Sequence, residues 1–276
     1  MEEENNLTEI LKWHVENGID ETLQAEPHNR LFPSESEEIC IKNITKLTSA
    51  ETKSLLDNPT KTKPSSTLIS REETISSAYA TATSANSLKA LKTAVAEFDG
   101  CPLKKTAKNL VFGEGPGEAP LMFIGEAPGA HEDREGRPFI GPAGQLLDHL
   151  LSSISFERND VYITNILPWR PPGNRTPTPA EIIACMPFIQ RQIELVSPRI
   201  LVLVGGVATK ALLGSNQGIM RMRGKWLEYK REKEGIENLI TTRAILHPAY
   251  LLRSPAQKRE TWIDLLEIKQ KLNDMI

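Results

Sequence analysis

Past Cys101 the chain alternates short apolar runs with helical patterns, and this alternation constrains the fold more than any other feature. The runs are Leu121–Gly125 (LMFIG), Val161–Asn165 (VYITN), Ile200–Gly205 (ILVLVG) and Leu239–Leu246 (LITTRAIL). Helical spacing covers Gly144–Ser153, Pro179–Val196, Val207–Leu213 and Arg259–Met275. Nearly continuous apolar strands belong to sheets buried on both faces, and strand–helix alternation joins such strands in parallel. The pattern predicts an α/β/α sandwich around a four-stranded, mostly parallel sheet. With 39% hydrophobic residues among 276, the chain has the apolar material for one sizeable core.

The first 97 residues read differently. Residues 1–39 carry eleven acids and two bases, a balance of −9, so the remaining residues hold +6 of the net −3. Residues 6–24 have Leu7, Ile10, Leu11, Val15 and Ile19 at helical spacing, which predicts a short amphipathic helix. Pro33–Ser87 is rich in Ser, Thr, Lys and Glu with almost no aromatics and reads as a linker, followed by a helix over Leu88–Phe98. The division expected is therefore a leader and linker over 1–97 and a folded domain over 98–276. No run approaches the roughly 18–20 apolar residues that span a bilayer, and the start lacks the basic and apolar regions of a signal peptide. Three scattered cysteines, Cys40, Cys101 and Cys185, argue against a disulfide framework and fit a reducing cytoplasm.

In open parallel sheets ligands bind beyond the carboxyl ends of the strands, and the unusual loops of this chain lie there. Gly125–Asp133 and Gly136–Gly141 follow the first strand, Asn165–Pro179 the second, His247–Pro255 the fourth. They bring an aromatic face (Phe139), an amide offering donor and acceptor together (Asn165), and an imidazole (His247) to one sheet edge, the ingredients for holding a planar polar ring such as a pyrimidine. Singly, Phe139 reads as core, Asn165 as a strand-end cap and His247 as a structural imidazole; only their joint placement points to a pocket. Arg243–Arg259 contains Arg243, Arg253, Lys258 and Arg259 and no acid, which suits a phosphate backbone or a merely solvated basic face. No Gly-x-Gly-x-x-Gly or Walker loop follows any strand, which removes a nucleotide cofactor.

The string Gly125-Glu126-Ala127-Pro128-Gly129, then Glu132-Asp133 and Gly136-Arg137-Pro138-Phe139-Ile140-Gly141-Pro142-Ala143-Gly144, resembles motif A of family 4 uracil-DNA glycosylases; His247-Pro248-Ala249-Tyr250-Leu251-Leu252-Arg253 resembles motif B. Val161–Asn165 and Arg170–Arg175 resemble the intervening blocks, so the likeness runs from about Phe98 to the C-terminus. It implies hydrolysis of the N-glycosidic bond of deoxyuridine in DNA, with the nucleotide flipped from the stack. By the resemblance Phe139 stacks on uracil, Asn165 hydrogen-bonds its edge, and His247 stabilises charge developing toward O2. Gly125, Ala127 and Glu132 border the pocket, with capping of loop amides as the alternative for both Glu132 and Glu126. Glu126 and Asn174 are the candidates for activating water, and Arg175, Arg243, Arg253, Lys258 and Arg259 for binding DNA.

The family resemblance also implies a [4Fe–4S] cluster on four cysteines. Here Cys101 and Cys185 match the second and fourth positions, while Phe98 and Trp169 occupy the first and third, so no cofactor is expected. The competing reading is a module that binds or covalently traps uracil-containing DNA without turnover. Uracil-containing DNA is the expected partner and a monomer the expected state. The acidic leader is either a tag for a repair or replication protein or a dispensable tail.

Overall fold

The computed structural model describes residues 71–231 and 238–275. The leader helix expected over 6–24, the acidic residues around it and Cys40 lie outside the described residues. One compact unit runs from Thr67 to Ile276.

The unit opens with helices α1 (Arg71–Ser84) and α2 (Leu88–Glu97). Strand β1 (Leu121–Gly125) then leads through α3 (Ala130–Glu135) and α4 (Pro142–Ser153) to β2 (Tyr162–Asn165). Helix α5 (Pro179–Val196) returns to β3 (Ile200–Val204), and α6 (Gly206–Leu213) and α7 (Ile219–Met222) precede β4 (Trp226–Arg231) and β5 (Asn238–Ile245). Helices α8 (Pro248–Arg253) and α9 (Lys258–Asn273) close the chain. The sheet order is β2-β1-β3-β5-β4; the first four strands pair in parallel, while β4 pairs antiparallel with β5 at the edge.

Strand alternation sorts the core into two layers. Leu121, Phe123, Ile163, Val202 and Ile245 face Leu147 and Leu151 of α4, Leu251 of α8, and Leu265 and Ile268 of α9. Met122, Ile124, Leu201 and Leu203 face Ile189 and Ile193 of α5 and Ala208 and Leu212 of α6. All the strand residues of β1 and β3 are buried, as parallel strands covered on both faces require.

Two sequence expectations change. The sheet has five strands rather than four: β4 was missed because only Tyr229 of its six residues is buried, so it carries no apolar run. The linker expected over Pro33–Ser87 does not hold for its last part, since Arg71–Ser84 is helical and joins the unit that contains the sheet. Its buried face is Ala78 and Ala82, small residues that let α1 approach α5 without an apolar periodicity strong enough to read. Arg191 of α5 secures the α1–α2 turn, donating through Nε and Nη2 to the Ala85 carbonyl at 3.0 and 2.9 Å. No helix among the described residues is long and apolar enough to cross a membrane.

Candidate active site

At the carboxyl ends of β1, β2, β3 and β5 lies a cavity of about 720 Å³, lined among others by Glu126, Phe139, Asn165, His247 and Arg253. Its floor is set by a close approach. Gly125 pairs in register with Asn165, and a Cβ on Gly125 would stand 2.4 Å from Asn165 Oδ1 and 2.5 Å from Phe139 Cζ. Only glycine lets amide and ring converge there. Asn165 is 5% exposed and its Oδ1 is buried with no hydrogen-bond partner. An unmatched buried acceptor is costly, and one at the wall of a cavity is placed for a donor that arrives with a ligand.

His247 ends β5's extension and caps α8: its Nδ1 accepts from the Ala249 amide at 3.1 Å. A backbone amide can only donate, so the ring proton resides on Nε2. Burial, with the nearby Arg253 charge adding to it and Glu132 opposing, brings the imidazole down to about pH 4. His247 is thus a neutral donor at ordinary pH. Its ring lies 5.7 Å from that of Phe139, at 28°.

Glu126 is half-buried, accepts no side-chain hydrogen bond, and burial raises its carboxyl above the usual carboxylate range. A carboxylate so placed binds a proton more readily than one in water. Asn174, the other water-activating candidate, lines the cavity, but its Oδ1 accepts from Arg170 Nε at 2.7 Å and is therefore occupied. Glu132 lines the cavity and also caps its loops: Oε2 accepts from the Gly129 amide at 3.1 Å, and Oε1 from Ile140 and Gly141 at 3.0 and 2.8 Å. Ala127 lines the cavity, whereas Gly125 is not part of its lining and lies against Asn165 and Phe139, which are.

The basic residues separate. Arg253 lines the cavity, and Lys258 and Arg259 are exposed at the start of α9, outside its wall. Arg175 also lines it, but both its terminal nitrogens bind Glu181, at 2.9 and 2.6 Å, and this pair draws Glu181 down to about pH 2. Arg243 does not face DNA, contrary to the sequence expectation. It is 1% exposed, donates to Asp264 Oδ1 at 2.8 Å and to Glu267 Oε2 at 2.8 Å, and lies over Trp226 at 5.0 Å. As a β5 residue facing α9 it pins the helix to the sheet.

The sequence reading missed the loop after β3. Gly205, Gly206, Val207 and Lys210 at the start of α6, with Gly218 and Ile219, form one side of the cavity. Gly205 has φ of 93°, and a Cβ there would stand 3.1 Å from His247 Cβ. The Gly-Gly pair directly after an apolar strand was the available signal.

The four positions of the implied cluster do meet in space. Phe98, Cys101, Trp169 and Cys185 are all buried in one apolar group with Phe188, whose ring meets Phe98 edge-on at 4.9 Å and 68°. Cys101 and Cys185 are both free, buried thiols. Two thiols and two aromatic rings do not supply the four thiolates such a cluster takes, so these residues do not fit it. Among the described residues no other group of His, Cys, Asp and Glu could hold a metal ion.

Residues 112–266 match the Uracil DNA glycosylase superfamily. The chain is 41% identical to the type-4 uracil-DNA glycosylase of Pyrobaculum aerophilum over 64% of its own length and 91% of that protein. It is 40% identical to the type-4 uracil-DNA glycosylase of Sulfurisphaera tokodaii over 67% of its own length and 84% of that protein. A relative of the same type from Archaeoglobus fulgidus is 40% identical over 61% and 84% respectively.

Proposed function

The chain belongs to the uracil-DNA glycosylase superfamily and removes uracil from DNA as a hydrolase of N-glycosyl bonds, and we propose that the cavity at the strand ends performs this reaction with the residues described above. The observation that carries the assignment is the buried, unpartnered Oδ1 of Asn165 beside the Phe139 ring. An acceptor at that depth suits the N3–H of uracil, with the Asn165 amide nitrogen free to donate to O4.

The target base is stacked in the duplex, and flipping it into the cavity costs roughly a few kcal/mol. Phe139 stacks on the flipped ring. As the C1′–N1 bond breaks, its electron pair passes to uracil, and the Nε2–H of neutral His247 donates to the O2 that gains charge. A donor already oriented needs no reorganisation at that moment, which is why such groups are large catalytic contributors. Water adds to C1′ and gives its proton to Glu126, whose raised affinity for protons suits a general base. Arg253, Lys210 and the amides opening α6 hold the phosphates on either side, with Lys258 and Arg259 further along the strand.

The same reading has a monomer acting in the cytoplasm, supported by the odd, scattered cysteines, with a catalytic domain that follows an acidic leader. The leader's charge of −9 suits contact with a basic face of a repair or replication protein. An oligonucleotide with one deoxyuridine tests the assignment. Free uracil and an alkali-labile abasic site are expected; a stable covalent protein–DNA adduct at C1′, formed as uracil leaves and in place of the abasic site, would instead indicate trapping.

A further inference from the structure

Phe139 has φ of 50°, a left-handed conformation that a bulky residue rarely adopts. Such a residue persists only where its surroundings over-determine it. On one side Glu132 accepts from the amides of Ile140 and Gly141, at 3.0 and 2.8 Å. On the other, Arg158 donates through Nη1 to the Phe139 carbonyl at 2.9 Å and through Nη2 to the Pro138 carbonyl. Gly144 completes the enclosure, since a Cβ there would stand 1.7 Å from the Phe139 oxygen.

We propose that Arg158 is a positioning residue for the reaction: with Glu132 it forms a two-sided clamp on the 138–141 backbone that fixes the ring of Phe139 against Gly125 and Asn165. Arg158 belongs to neither motif and lies in the turn before β2, and its side chain is 16% exposed. Asp148 of α4, at 3.1 Å from Nη1, and Glu114, at 3.4 Å from Nη2, hold the guanidinium in turn. The planar fork matters, because two adjacent carbonyls are met by two nitrogens of one rigid group. Without it residue 139 relaxes toward an ordinary backbone conformation and the ring leaves the pocket wall. This inference rests on Phe139 being the residue that stacks on the base.

The test is a double-mutant cycle on the full chain, reading kcat/KM on deoxyuridine DNA and inhibition by free uracil. Arg158→Gln is expected to lower kcat/KM and weaken uracil inhibition by about 10- to 100-fold, the scale of a reacting group misplaced by about 1 Å. Phe139→Ala should cost at least as much, and the double variant no more than Phe139→Ala alone, since Arg158 acts only through that ring. Arg158→Lys should recover part of the loss. Arg137→Ala, which removes a residue that also binds Glu114 but touches neither carbonyl, should stay within about twofold of the parent. If Arg158→Gln proves unfolded, Arg158→Lys and Glu132→Gln run the same cycle. Additive losses in the double variant, or parent-like uracil inhibition in a folded Arg158→Gln protein, overturn the clamp while leaving Phe139 in its role. Parent-like uracil inhibition in Phe139→Ala overturns the stacking role and the clamp together.

Discussion

The cavity and the aromatic corner around Cys101 are both gatherings of chemically distinctive residues from distant parts of the chain, yet they differ in what is left unsatisfied. In the cavity Asn165 Oδ1 has no partner, Glu126 has none, and the proton of His247 points away from the one hydrogen bond its ring makes. In the corner Phe98, Trp169 and Phe188 fill the space, and the thiols of Cys101 and Cys185, which behave as small hydrophobes, are buried among them. Residual polar demand marks the first as a place for a ligand. Its absence marks the second as core, although resemblance alone pointed to a metal centre there.

The contrast breaks first if the cavity residues prove to be structural. Asn165→Ala and His247→Ala should each slow single-turnover excision by at least about a hundredfold, because one oriented donor to developing charge contributes roughly 2.7–4 kcal/mol. The melting temperature should move little for Asn165→Ala and fall by about 2–4 °C for His247→Ala, which removes the side-chain cap of α8. Rates within about threefold of the parent would remove both from the assigned roles.

Next in size is the pH dependence. Glu126 must be ionised to accept a proton from water, and burial raises its affinity for protons, so activity should fall as pH drops through a value above the ordinary carboxylate range. His247, neutral down to about pH 4, should contribute no break near pH 6.5. Glu126→Gln should lower kcat by about 10²-fold or more and abolish the acid limb of the profile. An unchanged acid limb in that variant would assign it to another group.

The aromatic corner should respond only in stability. Changing both Cys101 and Cys185 to Ser should cost about 1–2 kcal/mol by thermal unfolding, with excision retained, as for small buried groups made more polar. Purified protein should be colourless. Roughly four irons per chain in anaerobically prepared protein would place a cluster on ligands other than the matched set.

The smallest effect concerns the cavity rim. Arg253→Ala should weaken binding to all DNA sequences alike and flatten the dependence of log K on log salt by about one. Lys258→Ala and Arg259→Ala should do the same if the DNA path continues along α9, and an unchanged slope would end the path at the cavity.

Much of this was legible in the sequence because it rests on local pattern. Four strands were visible as apolar runs, since a strand buried on both faces has no polar positions to interrupt it. Strand β4 was not, because an edge strand with one buried residue looks like any charged segment. Helix α1 was hidden for a related reason: alanine packs well against a neighbouring helix but barely registers as hydrophobic.

The residue types and order of the motifs were determined by the sequence alone, and with them the family and the reaction. The partner of each charged or polar group was decided only by the tertiary structure. Arg243 and Arg253 stand ten residues apart in one basic stretch, but the first is turned by strand β5 onto Asp264 and Glu267, and the second is carried by α8 to the cavity. Glu126 and Glu132 share a motif, yet among the described residues the carboxylate of the first accepts no hydrogen bond and that of the second holds three loop amides. Charge and hydrogen-bonding capacity are properties of a side chain, but protonation and role depend on what lies within a few ångströms of it, and that is set by contacts between segments far apart in the chain.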